Sequence, residues 1–256
     1  LAYCRARDGS LTAKVDGRWL AGCSVPRRAA ERMVKSVAAR GQIVCLLLPS
    51  NAHQIAALLD HLTPGQSIIA LLSTLTDLPT FLALADLSEA IAAHRLFFND
   101  ADSLRGLYDR WPGLAPAQQL VRLADAPADR IDAAMATAQA AFSEIGAAQV
   151  QRAGVVRQGW NVAREGIFVH GPQRFELWND AGRTLADLFG NDATDTRDAA
   201  TCALPLIAER AAQRHAMLVP NIGRSDRPEV AHPQQPWITW VTRARVPAFV
   251  PSSPRD

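Results

Sequence analysis

Lysine is almost missing from this chain of 256 residues: Lys14 and Lys35 are the only two among its 27 basic residues. The other cations are arginines scattered singly, and against 25 acids they leave a net charge of +2. With so much alanine beside them, they reflect composition bias rather than chemistry. A nucleic-acid surface needs a clustered basic stripe, so that class of partner is excluded. No apolar run approaches the ~20 residues that cross a bilayer. The opening residues lack the pattern of a signal peptide. The four cysteines, Cys4, Cys23, Cys45 and Cys202, show no C-x-x-C spacing and have no histidine pairs beside them. They read as free thiols of a reducing compartment, which places the chain in the cytoplasm.

Glycine is missing where a nucleotide site would want it. Ile43 to Leu48 is a continuous apolar run, followed by Pro49-Ser50-Asn51-Ala52-His53 and then a helix-period pattern to Leu59. This is a buried strand, a turn and a covering helix, the opening unit of a parallel α/β sheet. A dinucleotide or S-adenosylmethionine site would place glycines in that turn and an acid at the end of the next strand. The turn has no glycine, and after Leu72 no carboxylate comes before Asp77. Ser50, Asn51 and His53 are the ligand candidates at this point. Their alternative role is to close the turn and cap the helix.

An apolar fraction of 48% is ample for a core. Leu11 to Asp16 and Gly17 to Ala21 predict a hairpin turning on Asp16-Gly17, a dipeptide suited to a type I′ turn. Pro26 starts a helix at a position where its missing N–H costs nothing, and Gly41 is its expected stop. Ala30, Met33, Val34 and Val37 line its apolar face. After the first strand and helix come a strand over 67–72, a long helix from Leu78 to Ala93 and a strand over 95–99. A helix from Asp102 to Trp111 and a strand over 119–123 complete the alternation. It predicts a Rossmann-like sheet wound by right-handed crossovers.

Residues 1–126 are therefore expected to form a hairpin plus Rossmann-like domain. Residues 127–256 are expected to hold a helical connector, from Pro127 to about Val156, and a partial second α/β region. In that region strands are expected over Gly166–His170, Ala216–Val219 and Trp237–Val241, with helices over Asn179–Leu188 and Thr196–Arg214. The chain opens on Leu1 and runs out at Pro251–Asp256 without finishing an element. It is expected to be a segment of a longer protein.

Two acidic patterns bear on metal chemistry. Phe97-Phe98-Asn99-Asp100-Ala101-Asp102 places Asp-x-Asp after an apolar strand, which resembles the metal motif of GT-A glycosyltransferases. Two carboxylates there would hold a divalent cation and a diphosphate. The competing role of Asp100 or Asp102 is to cap the following helix. Asp192, Asp195 and Asp198 recur every three residues and read as a solvated helix entry. No zincin, P-loop or Gly-x-Ser-x-Gly spacing is present, and no resident metal is expected. Of Trp237 and Trp240, three apart on a strand and so on opposite faces, one packs in a core. The other, Trp240, is a candidate platform for a ligand.

Leu11-Thr-Ala-Lys-Val-Asp-Gly-Arg-Trp-Leu20, with Pro26 and Arg28-Ala-Ala-Glu-Arg32, resembles the N-terminal hairpin and helix of two groups of bacterial glycosyltransferases. These are the motility-accessory (Maf-type) and spore-maturation (CgeB-type) enzymes. Pro236-Trp-Ile-Thr-Trp-Val241 with Arg245-Val-Pro247 is similar to an early strand of CgeB-type transferase domains. Leu48-Pro-Ser-Asn51 departs from the glycines of the Maf-type pattern, and only Gly171-Pro172 stands for that group's Gly-Pro-Ser-Leu.

The resemblance implies the N-terminal, accessory or acceptor-side part of a nucleotide-sugar-dependent glycosyltransferase. Its second region would be the N-lobe of a GT-B pair. A nucleotide sugar is expected for the full-length protein and no cofactor for this segment, which alone is expected to be inactive. The expected partner is the protein's own C-terminal lobe or another protein, and a homo-oligomer is also compatible. Two other readings stay open. One is a degenerate Rossmann module for protein interaction. The other is a GT-A-like or methyltransferase-like enzyme using the first sheet.

Overall fold

The computed structural model describes residues 1–39, 41–63, 65–123, 128–170, 203–220 and 224–240, the side chains of 220, 226 and 240 excepted. The chain divides into two compact units, residues 1–112 with 116–145 and residues 113–115 with 146–256.

The first unit opens with a three-stranded antiparallel sheet of β1 (Ala2–Arg5), β2 (Leu11–Val15) and β3 (Arg18–Trp19), in the order β1-β2-β3. The expected turn joins β2 to β3: Asp16 and Gly17 have φ of 50° and 76°, as a type I′ turn requires. Strand β1 is an addition to the sequence-based hairpin. Helix α1 (Pro26–Val34) begins on its proline and buries Pro26, Ala30 and Val34. It ends seven residues before Gly41, which corrects the expected stop. Gly41 has another reason to be glycine. Its φ is +81°, and a Cβ there would lie 2.7 Å from Gln118 Cβ. Gln118 Oε1 in turn accepts the N–H groups of Gln42 and Ile43, pinning the entry to the next strand.

Four parallel strands follow: β4 (Ile43–Leu47), β5 (Ser67–Leu72), β6 (Leu96–Asp100) and β7 (Gln119–Arg122). They lie in the order β6-β5-β4-β7, so the protein is α/β with the Rossmann-like sheet that the alternation predicts. Every residue of β4 and β5 is buried, which explains why both read as unbroken apolar runs. On one face Val44, Leu46, Ile68, Ala70 and Leu72 pack with α1 and with α2 (Ala52–His61) in a single cluster. The alternate residues Ile43, Cys45, Leu47, Ile69 and Leu71 are buried on the other face.

The long helix expected over 78–93 is two helices, α3 (Leu78–Leu84) and α4 (Ser88–Ala92). Ala85 is extended, and the Asp86 carboxylate accepts both the N–H and the hydroxyl of Ser88, at 3.0 and 2.6 Å. That local capping outcompetes continuation of the helix. Helix α5 covers Leu104–Arg110 and α6 runs from Ala128 to Arg157, close to the expected connector.

The second unit contains β8 (Ile167–Val169), α7 (Leu204–Ala212), β9 (Ala216–Pro220) and β10 (Trp237–Trp240). The strands are parallel, in the order β10-β9-β8. Phe168, Ile207, Ala211, Met217, Val219 and Trp237 form its core, so Trp237 is the tryptophan that packs inward. The expected helix over 179–188, the Asp192/Asp195/Asp198 series and Gly171-Pro172 lie outside the described residues. Of the helix expected over 196–214, α7 is the described part. No helix among the described residues is long and apolar enough to cross a membrane.

Candidate ligand site at the edge of the first sheet

The strand order reverses between β4 and β7: the chain steps from β4 to β5 and β6, then crosses back to the far side of β4. In open parallel sheets, the C-terminal edge at such a switch is where ligands bind. The β4–α2 turn sits on that edge. It begins at Leu48, whose φ of 44° is unusual for a residue with a Cβ and whose N–H donates to Leu71 O at 2.9 Å.

The turn then closes on its own side chains. Asn51 Oδ1 accepts the N–H of His53 at 3.0 Å and of Gln54 at 3.3 Å, which makes Asn51 the N-cap of α2. Gln54 reaches back, and its Oε1 accepts the N–H of Ser50 at 2.8 Å. This is a capping box shifted by one residue. Asn51 Nδ2 completes the ring of contacts on Ser50 Oγ at 3.4 Å. The amides that a nucleotide-binding turn would offer to phosphate oxygens are thus bonded to protein oxygens at Ser50, His53 and Gln54.

His53 ties the turn to the small antiparallel sheet. Its Nε2 is 2.7 Å from Leu11 O. A carbonyl only accepts, so Nε2 carries the proton and donates. Asn51, His53 and Gln54 are buried, at 5%, 7% and 1% exposure, and His53 carries the tie from this edge to β2. Ser50, Asn51 and His53 are therefore brought together, and each is engaged in holding the turn.

Asp100 and Asp102 stand apart from them, at the end of β6, with β5 between β6 and β4. Asp100 Oδ1 accepts the N–H of Ser103 at 2.9 Å and the Ser103 hydroxyl. The hydroxyl proton can serve only one acceptor, yet Ser103 Oγ also lies 2.7 Å from Asn99 Oδ1, while Asn99 Nδ2 is buried without a partner among the described residues. Exchanging the amide ends of Asn99 resolves both: Nδ2 donates to Ser103, and Ser103 donates to Asp100. The Ser103 hydroxyl is the main reason the Asp100 carboxyl sits below its ordinary pKa, with burial opposing it and the Ser103 and Leu75 amides assisting. Asp102 is exposed beside this network. Asp100 so holds the turn that precedes α5. No group of three or more His, Cys, Asp and Glu suited to a metal occurs among the described residues. Trp240 is the last residue of β10, in the second unit, and its side chain lies outside the described residues.

Three further residues were not evident from sequence. Asp8, in the turn after β1, holds the start of α1 through Arg28 N–H, a contact that no local pattern announces. Gln54 completes a capping signature three residues after Asn51, which spacing alone marks. His170, just after β8, stacks on Phe168 with ring centroids 5.9 Å apart. Its Nδ1 is buried without a partner among the described residues, and burial, with help from the Arg227 cation, brings its pKa down to about 4. Cys45, inside β4, is inert, since burial pushes its thiol up to about 12.

No family model matches the chain, and no curated protein matches it in sequence. Among solved structures it is similar to the Maf glycosyltransferase from Magnetospirillum magneticum AMB-1, with 10% identity and a TM-score of 0.41. The match covers 95% of this chain and 52% of that one, so the chain spans about half the length of that structure.

Proposed function

We propose that this chain is the accessory, acceptor-side part of a bacterial nucleotide-sugar-dependent glycosyltransferase, and that the sugar nucleotide is gripped by residues outside the first sheet. The observation that carries this reading is the closed switch point. Asn51 and Gln54 occupy the amides of Ser50, His53 and Gln54 in the β4–α2 turn, and the His53–Leu11 bond ties that turn to β2. A first sheet closed in this way serves as a scaffold. The hairpin and α1 around Asp16-Gly17 and Pro26 are the segment whose sequence resembles Maf-type and CgeB-type enzymes, which supplies the reaction class.

On this reading, the part of the chain that binds the acceptor or the catalytic lobe is positioned by the sheet and not chemically active itself. The experiment is sugar transfer from labelled UDP-, GDP- and CMP-sugars by this segment alone, then with an added C-terminal lobe from the full-length protein. Transfer only in the presence of the lobe is the expected outcome. Transfer by the segment alone contradicts the proposal.

A further inference from the structure

The charge of the chain is unevenly placed. The first 35 residues hold eight of its 27 basic residues against three of its 25 acids, a net +5 in a chain whose total is +2. The remainder is therefore net negative. One of those three acids, Asp8, is buried and bonded internally, which leaves two to offset the cations at the surface.

The pairing of the small sheet gathers apolar side chains on the same segment. Tyr3 lies opposite Ala13, Arg5 opposite Leu11, and Arg18 opposite Val15. Residues paired across antiparallel strands share a face, and Leu11, Ala13 and Val15 alternate along β2, so all six belong to one face. Tyr3 is 50% exposed, Leu11 41% and Val15 44%, both arginines are exposed, and Ala13 between them is buried. No acid stands on this face. It is an apolar strip with a cation at each end.

We infer that this face docks on an anionic lipid surface. The apolar strip suits the interfacial region of a bilayer, with Tyr3 at headgroup level and the two arginines among lipid phosphates. A second copy of the chain would bring arginine against arginine, which charge disfavours. The excess of cations extends beyond the strip into α1, where Arg28 and Arg32 are exposed. That spread matches the diffuse charge of a lipid surface better than the few fixed carboxylates of a protein partner. This inference goes beyond the glycosyltransferase reading and does not depend on it.

The test is co-sedimentation of the whole chain with vesicles of phosphatidylcholine alone and of phosphatidylcholine with phosphatidylglycerol. The chain should pellet with the anionic vesicles at low salt and not with the neutral ones. It should release in 1 M salt, where the Debye length falls to about 3 Å. Arg5→Glu with Arg18→Glu should cut partitioning at least about tenfold. Tyr3→Ser with Leu11→Ser should weaken it too. All four positions are exposed, so thermal melts of these variants should match the parent. Absence of pelleting overturns the inference. So does pelleting that these variants leave intact but Arg28→Glu with Arg32→Glu abolishes. Retention on a polyglutamate resin without vesicle binding assigns the face to an acidic protein and also overturns it.

Discussion

Asp8 Oδ2 accepts the backbone N–H of Arg28 at 3.1 Å, so a carboxylate in the turn after β1 caps a helix twenty residues further along the chain. The residue in the N-cap position itself, Val25, has no side chain that could accept. Asp8 Oδ1 meanwhile takes the N–H and hydroxyl of Ser10, and Arg27 donates to the Asp8 carbonyl. One acid thereby ties the small sheet to α1.

Removing that cap should be costly. Asp8→Ala is expected to lower stability by about 1–2 kcal/mol, read from the urea midpoint at neutral pH. The effect is also pH-dependent. Burial pushes the Asp8 carboxyl up, but the Ser10 hydroxyl and the amides of Arg28, Ser10 and Arg27 outweigh it, holding its pKa at about 2 against an ordinary 3.8. Because the folded pKa is the lower, the contribution is complete above the ordinary value and lost as pH falls through about 2. The gap between the parent and Asp8→Asn should narrow across that window and stay constant above it.

His170 should act in a higher window with the same sign. Its folded pKa of about 4 lies below the ordinary 6.5, so the unfolded chain takes up the proton first. Stability should fall as pH drops from 6.5 through 4, and His170→Gln should flatten that slope. A proton resonance of His170 titrating near 6.5 in the folded protein contradicts this.

Gly41→Ala should destabilise. The substitution meets a φ of +81° and a Cβ contact of 2.7 Å with Gln118, whose side chain is held by two backbone amides. A cost of about 2 kcal/mol is expected from chemical denaturation.

Ala21→Gly should do the reverse. Ala21 is exposed and sits at φ 53°, so no packing is lost and left-handed strain is relieved. A gain of about 1 kcal/mol is expected, visible as a higher melting temperature.

The parts of the fold legible from sequence are those fixed within a few residues. Asp16-Gly17 specifies its turn by conformational preference alone, and the runs over 43–47 and 67–72 specify central strands by being apolar on both faces. The break between α3 and α4 was hidden because Leu84, Leu87 and Ile91 continue a helical period across it, while Asp86 and Ser88 decide the matter through two hydrogen bonds. Gly41 shows the same limit: as a glycine it resembles a helix stop, and its partner, Gln118, is distant in sequence. At the candidate site, Asn51 is recognisable as a cap. The His53–Leu11 bond is not, because it joins residues that only the folded chain brings together. The Asp-x-Asp spacing at 100–102 likewise says nothing of Ser103, which engages Asp100.

The closed switch point is tested most directly by calorimetric titration of this chain with UDP-, GDP- and CMP-sugars in the presence of Mn²⁺, alongside a thermal melt. A ligand at a hundredfold over its dissociation constant would stabilise the fold by about 2.7 kcal/mol. The expected result is no heat of binding and no change in a cooperative melt. Saturable binding that Gln54→Ala or Asp100→Ala weakens would contradict it, placing a working nucleotide site on the first sheet.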